Sequence, residues 1–159
     1  MKIGIRPARP QDAPLIGAFI QELAEYERLS GECQAAPEAV AESLFAPHPR
    51  VFCDIAEWNG VPAGFALWFY SYSTFQAKHG IYLEDLFVRP QFRGKGLGRA
   101  LMLELARRTL REGCGRFEWS VLDWNEPSID FYKSLGAGAM KDWTVFRLEG
   151  GALERLVHG

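Results

Sequence analysis

Six residues, Arg93-Gly94-Lys95-Gly96-Leu97-Gly98, constrain this chain more than any other stretch, because they join a strand-like run over residues 80–88 to a strongly helical one over residues 97–112. Three alternating glycines open backbone angles closed to other residues, so successive N–H groups can turn toward a ligand with no Cβ in the way. The start of the following helix adds its own unbonded N–H groups and the positive end of its dipole. With Arg93 and Lys95 supplying full charge, the junction suits an anion, and a pyrophosphate best. An ordinary glycine-rich turn is the alternative.

Spacing excludes two familiar phosphate loops. A P-loop requires glycine five residues before its Gly-Lys pair, and Arg89 stands there, with Gly96 where Ser or Thr should follow. The dinucleotide fingerprint requires a third glycine, but Arg99 or Leu101 occupies its place in the two possible registers. A nicotinamide or flavin site is therefore not expected.

The remaining residues fit one domain. A length of 159 residues with 48% apolar and 24% charged content is ordinary for a globular protein, so residues 1–159 are read as a single domain. A net charge of -2 offers no broad basic surface for nucleic acid or acidic lipid. Cys33, Cys53 and Cys114 are odd in number and far apart, and His48, His79 and His158 are scattered, so reduced thiols, no metal site and a cytoplasmic setting are expected. No apolar signal segment or run of about 18 apolar residues suggests a membrane.

Residues 2–8 alternate as a strand, and Pro10 opens a helix carrying Leu15, Ile16, Phe19, Ile20 and Leu23 on one face as far as about residue 28. A shorter helix is expected over residues 38–45. Asn59-Gly60 lies between two β-rich runs, 51–58 and 63–72, and suits a tight hairpin turn. Residues 71–80 are polar and aperiodic, read as a loop before the strand 81–88. Beyond the helix 97–112, which Gly113 should stop, come a strand over 116–122, a helix capped by Asn125 with Pro127 in its first turn, and a last strand over 143–148. A surface tail with a short helical tendency follows over residues 150–159.

This order, with the loop at its centre, resembles the GNAT superfamily of acyl-CoA-dependent N-acetyltransferases, whose loop Arg/Gln-x-x-Gly-x-Gly/Ala is matched in full. Residues 22–27, Glu-Leu-Ala-Glu-Tyr-Glu, 82–88, Tyr-Leu-Glu-Asp-Leu-Phe-Val, and 124–133, Trp-Asn-Glu-Pro-Ser-Ile-Asp-Phe-Tyr-Lys, narrow the likeness to the diamine branch, which includes spermidine/spermine and thialysine acetylating enzymes. The resemblance implies an α/β (α+β) GNAT fold: a mixed, mostly antiparallel sheet of about six to seven strands flanked by about four helices. It implies acetyl-CoA as co-substrate, a small cationic amine as acceptor, and a homodimer.

Site residues follow from the same resemblance. The backbone of Leu86, Phe87 and Val88 would pair with the pantetheine arm, and Arg93, Gly94, Lys95, Gly96, Leu97, Gly98 and Arg99 would hold the pyrophosphate, with Asn125, Pro127, Ser128 and Tyr132 completing the CoA site. Tyr132 would protonate the departing thiolate, as a phenol with a reference pKa near 10 is able to do; with Phe131 it could instead be a core aromatic. An alkylammonium must lose a proton before it attacks, and Glu84, directly or through water, is the candidate acceptor. Strand alternation puts Glu84 and Leu86 on one face and Asp85 on the other. Tyr26, Glu27, Glu84, Glu118 and Ser120 are the expected amine-binding residues, with Trp119 turned away. Acetylation of a protein N-terminus or lysine, and a CoA-binding protein without catalysis, remain as other readings.

Overall fold

A computed structural model describes residues 2–159, which form two compact units, 2–122 and 123–159. In the first, β1 (Ile3–Pro7), α1 (Ala13–Tyr26), α2 (Pro37–Phe45), β2 (Phe52–Trp58), β3 (Val61–Ser73), β4 (Lys78–Val88), α3 (Leu97–Arg111) and β5 (Phe117–Trp119) follow in order. The sheet runs β1-β2-β3-β4-β5, antiparallel except for the parallel β4–β5 pair.

The local reasons are visible in the residues. Asn59 and Gly60 both take positive φ, +50° and +81°, the twist a two-residue hairpin needs between β2 and β3. Asp12 fixes the entry to α1: Arg6 donates to both its oxygens at 2.7 and 3.0 Å and the Arg9 N–H adds a third bond at 2.8 Å. The Arg6 contact is the main reason that this carboxyl sits below the usual carboxylate range.

Helices cover both faces. Phe19 of α1 is fully buried, stacks on Phe65 at 5.4 Å and meets Phe87 at 6.5 Å, forming one core with Ile16, Leu23, Cys53 and Ile55. Burying such a ring contributes about 2–3 kcal/mol. On the opposite face α3 buries Leu97, Leu101, Met102 and Leu105. There Arg108 donates to the buried Asp54 at 2.9 Å and lies over the Trp68 ring, whose Nε1–H also donates to Asp54 at 3.1 Å.

The second unit holds α4 (Glu126–Ser134) and α5 (Gly150–His158). The Asn125 side chain accepts the Ser128 N–H at 3.4 Å, capping α4 as its sequence implies.

Three expectations need correction. The described sheet has five strands rather than six to seven, and residues 143–148 are irregular; alternation assigns faces to a segment but does not supply the ladder partner a strand requires. Five α-helices form rather than about four, the tail contributing α5. Residues 71–80 are likewise no simple loop. The β3–β4 ladder continues through Ser71↔Gly80, Tyr72↔His79 and Ser73↔Lys78, a hairpin end whose polar residues show no apolar period. No described helix is long and apolar enough to cross a membrane.

Candidate active site

The loop after β4 takes the shape its glycines permit. Gly94 and Gly96 have φ of +77° and +88°, and Gly96 is the N-cap of α3 with no side chain capping the helix. The first-turn N–H groups of α3 are thus left for a ligand, and a Cβ at Gly94 would meet nothing within 4 Å. Gly98 and Arg99 continue in the first turn of α3.

The loop's two cations are already seated. Arg93 donates its Nε–H to the Val88 carbonyl at 2.9 Å, and its guanidinium lies over the rings of Tyr26 and Phe87, at 5.1 and 5.6 Å. Lys95 sits 5.2 Å from the centre of the Trp58 ring. Arg93 therefore ties the loop to the end of α1, and its charge faces two aromatic rings as well as the loop.

β4 meets β5 only through Ile81↔Phe117, Tyr82↔Glu118 and Leu83↔Trp119. Beyond Leu83 the described ladder ends, so the β5 side of residues 84–88 carries backbone donors and acceptors that an extended arm could engage. Leu86, Phe87 and Val88 all lie there. This opening and the cradle after it fit an elongated thioester ending in a pyrophosphate.

The ladder also contains a bulge. Trp68 opposes Leu83 and Leu67 opposes Asp85, leaving Glu84 as the extra residue on β4. Strand alternation therefore fails at the residue it was applied to. Asp85 falls on the α1 face with Leu67, whereas Leu86 falls on the α3 face with Ala66.

Three carboxylates gather around the bulge. Glu84 is exposed and Asp85 is more enclosed, while Glu27 is the C-cap of α1. Burial, then the charges of Glu84 and Glu27, push the Asp85 carboxyl up to about 7. Burial and then Glu84 raise Glu27 as well. Among the described residues these acids do not form a metal-holding group. Glu118 on β5 is the register partner of Tyr82, and the hydroxyl of Ser120, just past the end of β5, is 2.7 Å from the Tyr82 hydroxyl.

In the second unit, Asn125, Pro127 and Ser128 build the start of α4, and Tyr132 lies further along it with its ring 5.5 Å from that of Phe131. Sequence reasoning passed over Tyr82 and set Asp85 aside. The signal for Asp85 was an acid at the spacing of Leu83 and Phe87, in a strand otherwise apolar there. It also passed over Arg89, which grips both carboxylate oxygens of Glu22 at 3.0 Å and lies over Phe19, locking the end of β4 to α1.

Comparison with known proteins agrees with this geometry. Residues 18–137 match the family described as Acetyltransferase (GNAT) family. The chain is 37% identical to a thialysine N-epsilon-acetyltransferase of Sus scrofa, over 96% of this chain and 95% of the relative. It is 32% identical to an L-ornithine N5-acetyltransferase of Arabidopsis thaliana, over 96% and 86% of the two chains. Among solved structures, an integron cassette protein from the mobile metagenome of V. cholerae superposes with a TM-score of 0.82 at 29% identity, covering 100% of this chain and 99% of that one. An uncapped glycine cradle at the end of an opened sheet, carried on a sequence with these relatives, is that of an N-acetyltransferase, and the chain belongs to the acetyltransferase (GNAT) family.

Proposed function

We propose that this enzyme transfers the acetyl group of acetyl-CoA to a primary amine of a small cationic acceptor, a diamine, polyamine or thialysine- or ornithine-like amino acid, by direct attack in a ternary complex. One observation carries the reading: three carboxylates, Glu27, Glu84 and Asp85, interact at the bulge of the strand that leads into the loop. A concentration of negative charge at that place favours a cationic acceptor over a neutral one. The names of the thialysine and ornithine enzymes point to the same class of acceptor.

Acetyl-CoA supplies the activated acetyl group as a thioester. Residues 86–88 hold its extended arm through backbone bonds, and the loop and first turn of α3, from Arg93 to Arg99, hold its pyrophosphate, joined by Asn125, Pro127 and Ser128. Tyr26, Glu27, Glu84, Glu118 and Ser120 receive the amine. The ammonium gives one proton to the carboxylates of the bulge, where the sequence singles out Glu84; Tyr132 gives a proton to the leaving sulfur and is restored by the second proton the nitrogen loses on forming the amide. Residues 1–159 work as a single acetyltransferase domain, and the protein works as a cytoplasmic homodimer on small molecules rather than on nucleic acid or membrane.

The test is release of free thiol from acetyl-CoA across spermidine, short diamines, thialysine, ornithine, neutral amino acids and lysine peptides. Turnover fastest with the small cationic amines is the expected result. Preference for peptides would move the acceptor to protein, and saturable CoA binding with no thiol release from any amine would refute catalysis on amines.

A further inference from the structure

The bulge at Glu84 does more than expose one acid, because it changes which acid faces the amine side of the sheet. Directly opposed residues of an antiparallel pair share a face. Phe69↔Tyr82, Leu67↔Asp85 and Phe65↔Phe87 therefore lie on one face, and Trp68↔Leu83 and Ala66↔Leu86 on the other. Phe65 and Phe87 both pack on Phe19, so the first face is the one α1 covers. Tyr82 and Asp85, three residues apart, would point to opposite faces of a regular strand; the extra residue puts them on the same one.

That face collects the polar groups expected at the amine. Tyr82 brings Glu118 by register and Ser120 through the 2.7 Å hydroxyl contact, and α1 delivers Glu27 at its C-terminus. Glu84 stands in the bulge itself, exposed to water.

We propose that Asp85, brought to the α1 face by the β4 bulge, is the residue that accepts the proton of the attacking amine, while Glu84 and Glu27 hold the cationic end of the substrate beside it. The proposal rests on the amine-acetyltransferase reading above. In the step, the ammonium N–H bond breaks and its proton passes to the Asp85 carboxylate. The freed nitrogen pair forms the bond to the acetyl carbon as the carbon–sulfur bond breaks; the sulfur takes a proton from Tyr132, and the second proton lost by the acylated nitrogen restores that phenol through water. Asp85 then loses its proton to water.

The surroundings of Asp85 suit the task. It faces Glu27 from α1, Glu84 and Tyr82 from β4, the neutral Cys53 from β2 and the uncharged Leu67 from β3. The nearest loop cation, Arg93, is bonded to the Val88 carbonyl and seated on Tyr26 and Phe87. Among the described residues no cation pairs with Asp85. Burial and like charge therefore leave this carboxylate a stronger base than an ordinary one, near 7. A base matched to neutral pH is the most effective proton acceptor there.

The experiment compares wild type, Asp85→Asn and Glu84→Gln by the pH dependence of kcat/KM for thiol release with ornithine and thialysine. In parallel, the Asp85 carboxyl is titrated by carbon-13 NMR in CoA-free protein. Wild type should show an acidic limb and a carboxyl midpoint near 7, separate from the ionisation of the amine near 10.4. Asp85→Asn should lose the limb and the resonance, with turnover lower by roughly 10²-fold or more and CoA affinity retained. Glu84→Gln should keep the limb, move it to lower pH and raise KM. Asp85→Asn that keeps the limb and stays within about tenfold of wild type would overturn the proposal alone, as would a midpoint in the ordinary carboxylate range. Wild type silent with every amine would overturn the acceptor reading, and the Asp85 step with it.

Discussion

A carboxyl held near pH 7 in the fold must cost stability whenever it is ionised, and Asp85→Asn measures that cost. Its pKa moves from 3.8 to about 7, first through burial and then through Glu84 and Glu27. A folded value above the unfolded one means that the group's stabilising contribution is complete below pH 3.8 and lost as pH rises through 7. Three pKa units at about 1.4 kcal/mol each set a ceiling of about 4 kcal/mol. Asparagine never ionises, so the stability of the variant relative to wild type should grow by about 1.4 kcal/mol per pH unit between about 4 and 7 and then level off. Comparing pH 5 with pH 8 isolates about 3 kcal/mol of this and cancels Asp12, whose shift runs the other way in both proteins. Urea unfolding of both proteins at pH 5, 6, 7 and 8 reads it directly. A difference that stays flat to within about 0.5 kcal/mol would refute the reasoning, because it would mean that Asp85 ionises as freely in the fold as in the unfolded chain. A variant that gains stability at pH 8 while losing turnover is the pattern of a residue retained for chemistry.

Three further outcomes follow from the geometry. Gly96→Val should weaken CoA binding by roughly tenfold or more, measured by calorimetry, because a φ of +88° costs a side-chain-bearing residue about 1–2 kcal/mol; unchanged affinity would contradict the cradle. Tyr132→Phe should lower turnover by roughly 10²-fold with CoA affinity kept, and near-normal turnover would leave the phenol as the aromatic partner of Phe131. Arg108→Met strands the buried Asp54 carboxylate with only the Trp68 N–H and should destabilise the fold by about 3–5 kcal/mol in urea unfolding. Adding Asp54→Asn should recover much of that loss.

The parts of this protein that depend on local chemistry were legible in its residues. Asn59-Gly60 specifies a turn with two positive φ angles, Asn125 specifies a cap, and Gly94 and Gly96 take the positive φ that glycine adopts most readily. These features need only a few neighbouring residues to be satisfied. The family could therefore be recognised before any tertiary contact was known.

What the sequence alone could not decide was register. The β3–β4 ladder continues through polar residues because pairing partners, not hydrophobicity, sustain it there. The bulge at Glu84 depends on how two strands align over many residues, and a slip of one residue exchanges every face beyond it. Alternation read along one strand thus kept Asp85 away from Glu84's face, whereas the paired strands bring it beneath α1 with Glu27. The sequence by itself determined the loop, its charges and the acids available; only the tertiary structure, by inserting one residue between Leu83 and Asp85, decided which acid is enclosed. Burial is a property of the assembled sheet and helix, so the basicity it confers belongs to no residue until the fold has formed.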